Sequence, residues 1–489
     1  MPEERQSAAE HGMATVQRGA VQMLAARVVL LVSGFGVSVI LARVLGPVEF
    51  GIYGVVMSLL VWFERVIGSG VPRGAMTMLA RDDGQRGVIE QSVRVLLAAI
   101  TLPLFGVAWI FAPELAAALD IPNGAHVLRV AALNLPVMAL FFVYDNVLNG
   151  LRLFAQQSQL QIVQAVLKLA GIALLLLAGL SVTSAFGVHV AATVVTVAWV
   201  ALRHPVARGR PSWPVMREMV VLGVPLGIYL VALLLVMNLS VWQLQVSSGD
   251  NPAEVGYYVA ALNLTRIMMM VPSSVSGVLY AALTAATNGG HRELAAQYIQ
   301  HAVRFATILI VPACVLLAVN ASGVMVLLFG DDYAAGGRTL ALLCVAFGMV
   351  AVMDVLLNAV MASGGLARAV WVLLALIPLL FTLNVHGIHV AGAAGAAAAS
   401  AVVLTIGAVV SLVITYRTFG APLRGVTVLR VAVAGAAVGL ISWLIPSAEL
   451  WLVVELGLLG MVYLALLWFT GELTVQDARP FALWKTRQG

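Results

Sequence analysis

The sequence predicts an all-α integral membrane protein of about fourteen transmembrane helices, arranged as two six-helix lobes in parallel repeat plus two C-terminal helices. Three observations predict it. The 489 residues are 62% hydrophobic and only 10% charged, against about 25% charged in a soluble domain. Apolar runs longer than the ~18 residues that mark a bilayer span recur along the whole chain. Short polar marks in the first half return in the second at a nearly constant offset.

With about 20 apolar residues per span, the expected helices are 20–43, 49–72, 90–113, 127–150, 157–179, 183–202, 219–245, 254–284, 299–320, 336–362, 367–386, 390–416, 426–445 and 449–470. The first run reaches about Ala42, too long for a signal-peptide core and without a good cleavage site, so it is read as a retained helix. The expected organisation is an N-lobe over 1–202, a cytoplasmic linker at 203–218, a C-lobe over 219–416, two further helices over 426–470 and a tail at 471–489.

Charge placement tests this count. If the N-terminus is cytoplasmic, the cytoplasmic connections hold seventeen basic residues, including Arg73, Arg81, Arg86, Arg203, Arg208, Arg210, Arg217 and Arg417. The opposite connections hold none, apart from Arg43, Arg129 and Arg338 at helix edges. One miscounted helix would scramble that alternation, so both termini are expected in the cytoplasm of a cell-membrane protein. The net charge of +5 is too mild to suggest a nucleic-acid partner. Cys314 and Cys344 both lie in apolar runs and read as buried thiols.

The repeat is carried by particular residues. Pro47, Glu49, Gly51 and Tyr53 match Pro252, Glu254, Gly256 and Tyr258, 205 positions on. Asp145 and Asn149 match Asp354 and Asn358 at an offset of 209, and Arg129 matches Arg338 at the same offset. Six is an even number of helices, so both lobes enter the membrane in the same sense. Each Pro-x-Glu-x-Gly-x-Tyr stretch reads as a helix start on the outer face. Proline needs no amide partner in a first turn. The glutamate complements the positive end of the helix dipole, and the glycine admits a close neighbour.

The stretches LARVLGPVEFGIYGVVMSLLVWF and VGYYVAALNLTRIMMMVPSSVSGVLYAALT resemble the polysaccharide-transporter flippases (Wzx-type, for O-antigen and exopolysaccharide) of the multidrug/oligosaccharidyl-lipid/polysaccharide exporter superfamily. The resemblance implies a V-shaped pair of lobes with helices 1, 2, 7 and 8 around a central cavity. It implies alternating access. Its cargo would be an oligosaccharide on a polyprenyl pyrophosphate, with a polysaccharide polymerase or glycosyltransferases as working partners. The sequence shows no phosphate-binding glycine loop, nucleophile motif or carboxylate pair set for hydrolysis, so neither a catalytic role nor a cofactor is expected. The chain departs from the family late in helix 7, where Asn238, Gln243 and Gln245 stand in a stretch that often carries a charge.

Charges within the spans then acquire meaning. A charge at the bilayer centre costs at least ~2.5–3.5 kcal/mol and needs a partner, a wet cavity or a role. Arg266, Arg27, Lys168 and Arg65 are the candidate cavity cations for the pyrophosphate, since arginine holds phosphate oxygens bidentately and stays charged when desolvated. The plainer reading has Arg27 reaching for the membrane surface and Arg65 paired with an acid such as Glu64. Asp145/Asn149 and Asp354/Asn358, each one turn apart on a helix face, are read as structural or gating residues. Two other cargoes stay open within the superfamily: a peptidoglycan lipid precursor, or a drug or cation exchanged by an antiporter. A membrane polymerase or ligase is disfavoured, because no outer connection exceeds about 17 residues.

Overall fold

The computed structural model describes residues 2–81, 84–205, 207–247, 249, 251–268, 283–284, 286–287, 291–420, 425–445 and 451–473, with side chains from Ala26 onward except those of Arg27 and Arg292. Among these residues eleven helical segments are long and apolar enough to cross a bilayer. Two of the eleven are paired spans joined at a backbone break. The first breaks at Gly46, whose φ of 74° suits a residue without a Cβ, and Pro47 opens the next helix. The second breaks at Ala391 and Gly392. The expected span 254–284 is described over Ala253–Met268; its continuation, 269–282, lies outside the described residues, as does the tail from 474 onward.

The helices of the first part are α1 (2–45), α2 (47–69), α3 (Val71–Arg81), α4 (Arg86–Ile110), α5 (Ala112–Ala118), α6 (Gly124–Ala132), α7 (Asn134–Gly150), α8 (Phe154–Ala178), α9 (Val182–Arg203), α10 (Trp213–Ser247) and α11 (Ala253–Met268). The second part comprises α12 (Arg292–Val319), α13 (Ala321–Phe329), α14 (Gly337–Ala362), α15 (366–390), α16 (393–419), α17 (Gly425–Leu444) and α18 (Trp451–Phe469). The chain forms two compact units, Met1–Val259 and Ala260–Gly489.

In the first unit α10 and the start of α11 pack on α2 and α3 through glycines. A Cβ on Gly51 would lie 2.9 Å from the Gly256 nitrogen, and one on Gly256 would strike the Pro47 carbonyl. The two copies of the repeated motif therefore touch each other, which is why both need glycine at the same place. At the other end of α2, a Cβ on Gly223 would strike the Gly70 carbonyl, and one on Gly74 would strike that of Met219. Aromatic and aliphatic side chains of α7, α8 and α9 close the core behind these seams, among them Phe141, Tyr144, Leu160 and Val200.

Two boundaries differ from expectation for stated reasons. The linker is 204–212, not 203–218, because α10 begins at Trp213. It is fastened to the start of α4. The Ala207 N–H donates to Glu90 Oε2 at 3.0 Å, the Ser212 N–H donates to Ser92 Oγ at 3.0 Å, and Gly87 lies flush against Arg208. Residues 73–81, expected as a connection, belong to α3, which starts at Val71 and has Val71, Ala75, Met78 and Leu79 on its buried face.

In the second unit α17 and α18 pack on α12 through Ile308, Leu316, Val438, Leu459 and Tyr463. The small-residue run after residue 391 has a packing reason: Gly387 and Gly395 are in backbone contact across the α15–α16 break, where any side chain would collide. Outward-facing Leu102, Ile110, Leu174, Leu177 and Leu202 are highly exposed, as expected of side chains that meet lipid.

Candidate functional site: cation-lined cavities in the first unit

α2 carries Glu64 and Arg65 side by side. Successive residues on a helix point about 100° apart, so the two serve different surroundings. Glu64 is 7% exposed. Its Oε1 accepts a hydrogen bond of 2.7 Å from Asn134 Nδ2, at the start of α7. His189 of α9 places Nε2 3.9 Å from the same oxygen, too far for a direct hydrogen bond. That nitrogen and Asn134 Oδ1 are buried with no hydrogen-bond partner among the described residues. Arg65 is exposed, and its guanidinium makes no ion pair or hydrogen bond with a described residue. The expected alternative of an Arg65–Glu64 pair is therefore not what the fold builds.

Two cavities flank this point. The first, of about 140 Å³, is lined by Ser33, Tyr53, Gln164, Lys168 and His189 among apolar residues of α1, α2, α8 and α9. Several polar groups on its wall are already engaged. Ser33 Oγ donates to the Ala165 carbonyl at 2.7 Å, Gln164 Nε2 donates to Thr193 Oγ1 at 3.1 Å, and Thr193 Oγ1 donates to the His189 carbonyl at 2.9 Å. The Lys168 ammonium is left without an ion pair or hydrogen bond to any described residue, within electrostatic reach of Glu64.

The second cavity, of about 280 Å³, is lined by Glu64, Arg65, Arg73, Asp145 and Asn146 together with Val61, Gly68, Met138 and Phe142. Asp145 Oδ1 accepts from Gln161 Nε2 at 2.8 Å and from Gln157 Nε2 at 3.2 Å. Arg73, like Arg65, has no ion pair or side-chain hydrogen bond to a described residue, although Asp145 and Arg65 both act on it electrostatically. Three cations on two cavity walls are thus held without an ion pair or side-chain hydrogen bond to a described residue. Among the described residues no group of His, Cys, Asp and Glu is set to hold a metal ion.

The candidates from the sequence are distributed as follows. Lys168 and Arg65 line the cavities, and Asp145 joins Arg65 in the second. Asn149 is half-buried one turn beyond Asp145. The side chain of Arg27 lies outside the described residues. Arg266, in the last turn of α11, is half-buried, belongs to the second unit and is not an unpaired cation. Asn358 Nδ2 turns back to donate to the Asp354 carbonyl at 2.8 Å, so the two Asp/Asn pairs are not equivalent in their contacts. Arg73, Asn134 and His189 were not singled out for this site. The apolar period of residues 71–79 would have placed Arg73 on a helix. Nothing in the sequence marks Asn134.

The fold is that of the MOP superfamily of transporters. The lipid II flippase MurJ in its inward closed conformation superposes with a TM-score of 0.74 at 14% identity, covering 92% of this chain and 97% of that one. An inward-facing multidrug-resistance MATE transporter gives 0.69 at 14% identity over 80% and 94%. A MOP-superfamily transporter from Pyrococcus furiosus, described as having a binding pocket of reverse polarity, gives 0.62 at 14% over 83% and 96%. No curated protein sequence matches the chain. Residues 40–336 match the polysaccharide biosynthesis protein family, and the chain belongs to that family. A member of that family, the chain has the fold of MurJ and MATE transporters and, among the described residues, eleven helical segments long and apolar enough to cross a membrane.

Proposed function

We propose that the protein moves a polyprenyl-pyrophosphate-linked oligosaccharide from the cytoplasmic to the outer leaflet of the cell membrane by alternating access, with both termini cytoplasmic. The observation that carries this reading is the set of three cations, Lys168, Arg65 and Arg73, lining cavities without an ion pair to any described residue. An unpaired charge in a membrane protein marks a function by default. Ammonium and guanidinium groups suit phosphate oxygens, which they bind by charge-assisted hydrogen bonds. The family supports a glycan destined for polysaccharide synthesis, and the prenyl chain stays in lipid while the headgroup crosses.

The test is reconstitution of the full-length protein in vesicles holding a fluorescently labelled prenyl-pyrophosphate oligosaccharide. Wild type is expected to bring the label to the outer surface, and Lys168→Ala and Arg65→Ala to slow it more than about tenfold. Arg27→Ala and Arg266→Ala enter the same assay. Movement of a peptidoglycan precursor alone would reassign the cargo. Movement of a cationic dye alone would overturn the reading.

A further inference from the structure

Glu64 has no role yet in this account, and its position is unusual. It is a buried carboxylate on the helix that carries Arg65, it lines the second cavity, and it faces His189 of the first. Its one short hydrogen bond comes from a neutral amide, Asn134. No Lys or Arg clamps it within 4 Å among the described residues. Asp145, the other carboxylate on these walls, is held by two glutamine amides. Glu64 is therefore balanced at a distance by Lys168 and Arg65 rather than tied to one of them. His189 faces it from α9, Lys168 from α8, Asp145 from α7 and Arg73 from α3. α1 contributes no described charged side chain to either wall.

A diphosphate entering the second cavity meets Arg65 with Glu64 on the same wall, and one entering the first meets Lys168, which lies within electrostatic reach of the same carboxylate. Like charges at close range in a poorly screened site repel strongly. A site built only to retain a diphosphate would not bury an anion on its wall. A carrier has a different requirement: it must let go. We propose that Glu64 is a resident anion that competes with the cargo's diphosphate for Lys168 and Arg65, so that the headgroup is held loosely enough to be released. This inference rests on the diphosphate cargo proposed above. Glu64 acts through the cations and is a positioning residue for the headgroup.

The experiment measures binding of a short prenyl diphosphate to the purified full-length protein in lipid nanodiscs, alongside transport in vesicles. Glu64→Gln keeps an oxygen to accept from Asn134 and removes only the charge. It is expected to bind about tenfold tighter, a change of ~1.4 kcal/mol, and to lower both KM and turnover. Glu64→Asp keeps the charge and is expected to stay within about threefold of wild type. Asn134→Asp adds a second carboxylate at the same point and is expected to weaken binding by about tenfold. It also provides a reading if Glu64→Gln fails to insert. Unchanged or weaker binding by Glu64→Gln overturns the inference, provided Lys168→Ala still weakens binding. If Lys168→Ala and Arg65→Ala leave binding unchanged, the cargo reading itself falls.

Discussion

The cavities of the first unit and the end of α18 in the second use the same residue types to opposite ends. Beyond α18, Glu472 is 4% exposed and gathers three donors. Arg304 Nε of α12 reaches Oε1 at 2.9 Å, Thr427 Oγ1 of α17 reaches the same oxygen at 3.0 Å, and Arg430 reaches Oε2 at 3.2 Å. Arg304 also donates to the Glu472 backbone carbonyl. Every charge there has a partner in contact, and the result ties α12, α17 and the chain after α18 into one body. In the first unit Lys168, Arg65 and Arg73 line cavities with no ion pair to a described residue. Pairing, more than charge or burial, separates a structural cation from one available to a ligand.

That contrast makes graded predictions. The largest effect belongs to Lys168→Glu. Reversing the charge on the cavity wall is expected to reduce cargo movement more than about a hundredfold, with the amount of membrane-inserted protein unchanged. Equal export per molecule would show that the unpaired lysine is incidental. Glu472→Ala is expected to leave transport per folded molecule intact while costing about 3 kcal/mol of stability, because it strands two arginines. Thermal unfolding in detergent reads this directly, and a loss of transport without a loss of stability would place the clasp in the mechanism instead.

Next comes the seam where the repeated motifs touch. Gly256→Ala puts a methyl against the Pro47 carbonyl and is expected to cost about 1–3 kcal/mol, whereas Gly457→Ala, with open space around it, is expected to be near neutral. The smallest effect is the acid sensitivity of the clasp. Burial alone pushes the Glu472 carboxyl up, but the hydrogen bonds from Arg304, Thr427 and Arg430 together outweigh it and hold the group below the ordinary carboxylate range. A depressed folded value means that the contribution is fully present above the ordinary value of about 4.3 and is lost as pH falls through the folded one. Unfolding temperature followed downward from about pH 6 is expected to drop further in wild type than in Glu472→Gln.

How much of this was legible in the sequence follows from the physics of each feature. Helix number and most boundaries were readable, because a bilayer demands long apolar runs and the chain supplies them. The Gly51/Gly256 pair was readable as a repeated close-packing mark; that the two glycines meet each other was not, since contact is a tertiary fact. Depth along a helix singled out Lys168 and Arg65. It could not say which face they occupy, and so could not reveal that both remain unpaired. Arg73 was hidden because α3, at 11 residues, is too short to span a membrane and reads as a connection. Asn134 and His189 gain meaning only from Glu64, which none of them neighbours in sequence.

The central claim is that the anionic headgroup lies against the unpaired cations of α2 and α8. Photocrosslinking with a diazirine-bearing prenyl diphosphate on the full-length protein, followed by peptide mapping, tests it most directly. Adducts are expected within residues 61–73 and 164–172, lost on competition with unlabelled prenyl diphosphate and reduced in Lys168→Ala. Adducts confined to the Arg304–Glu472–Arg430 clasp, with none on α2 or α8, would contradict it.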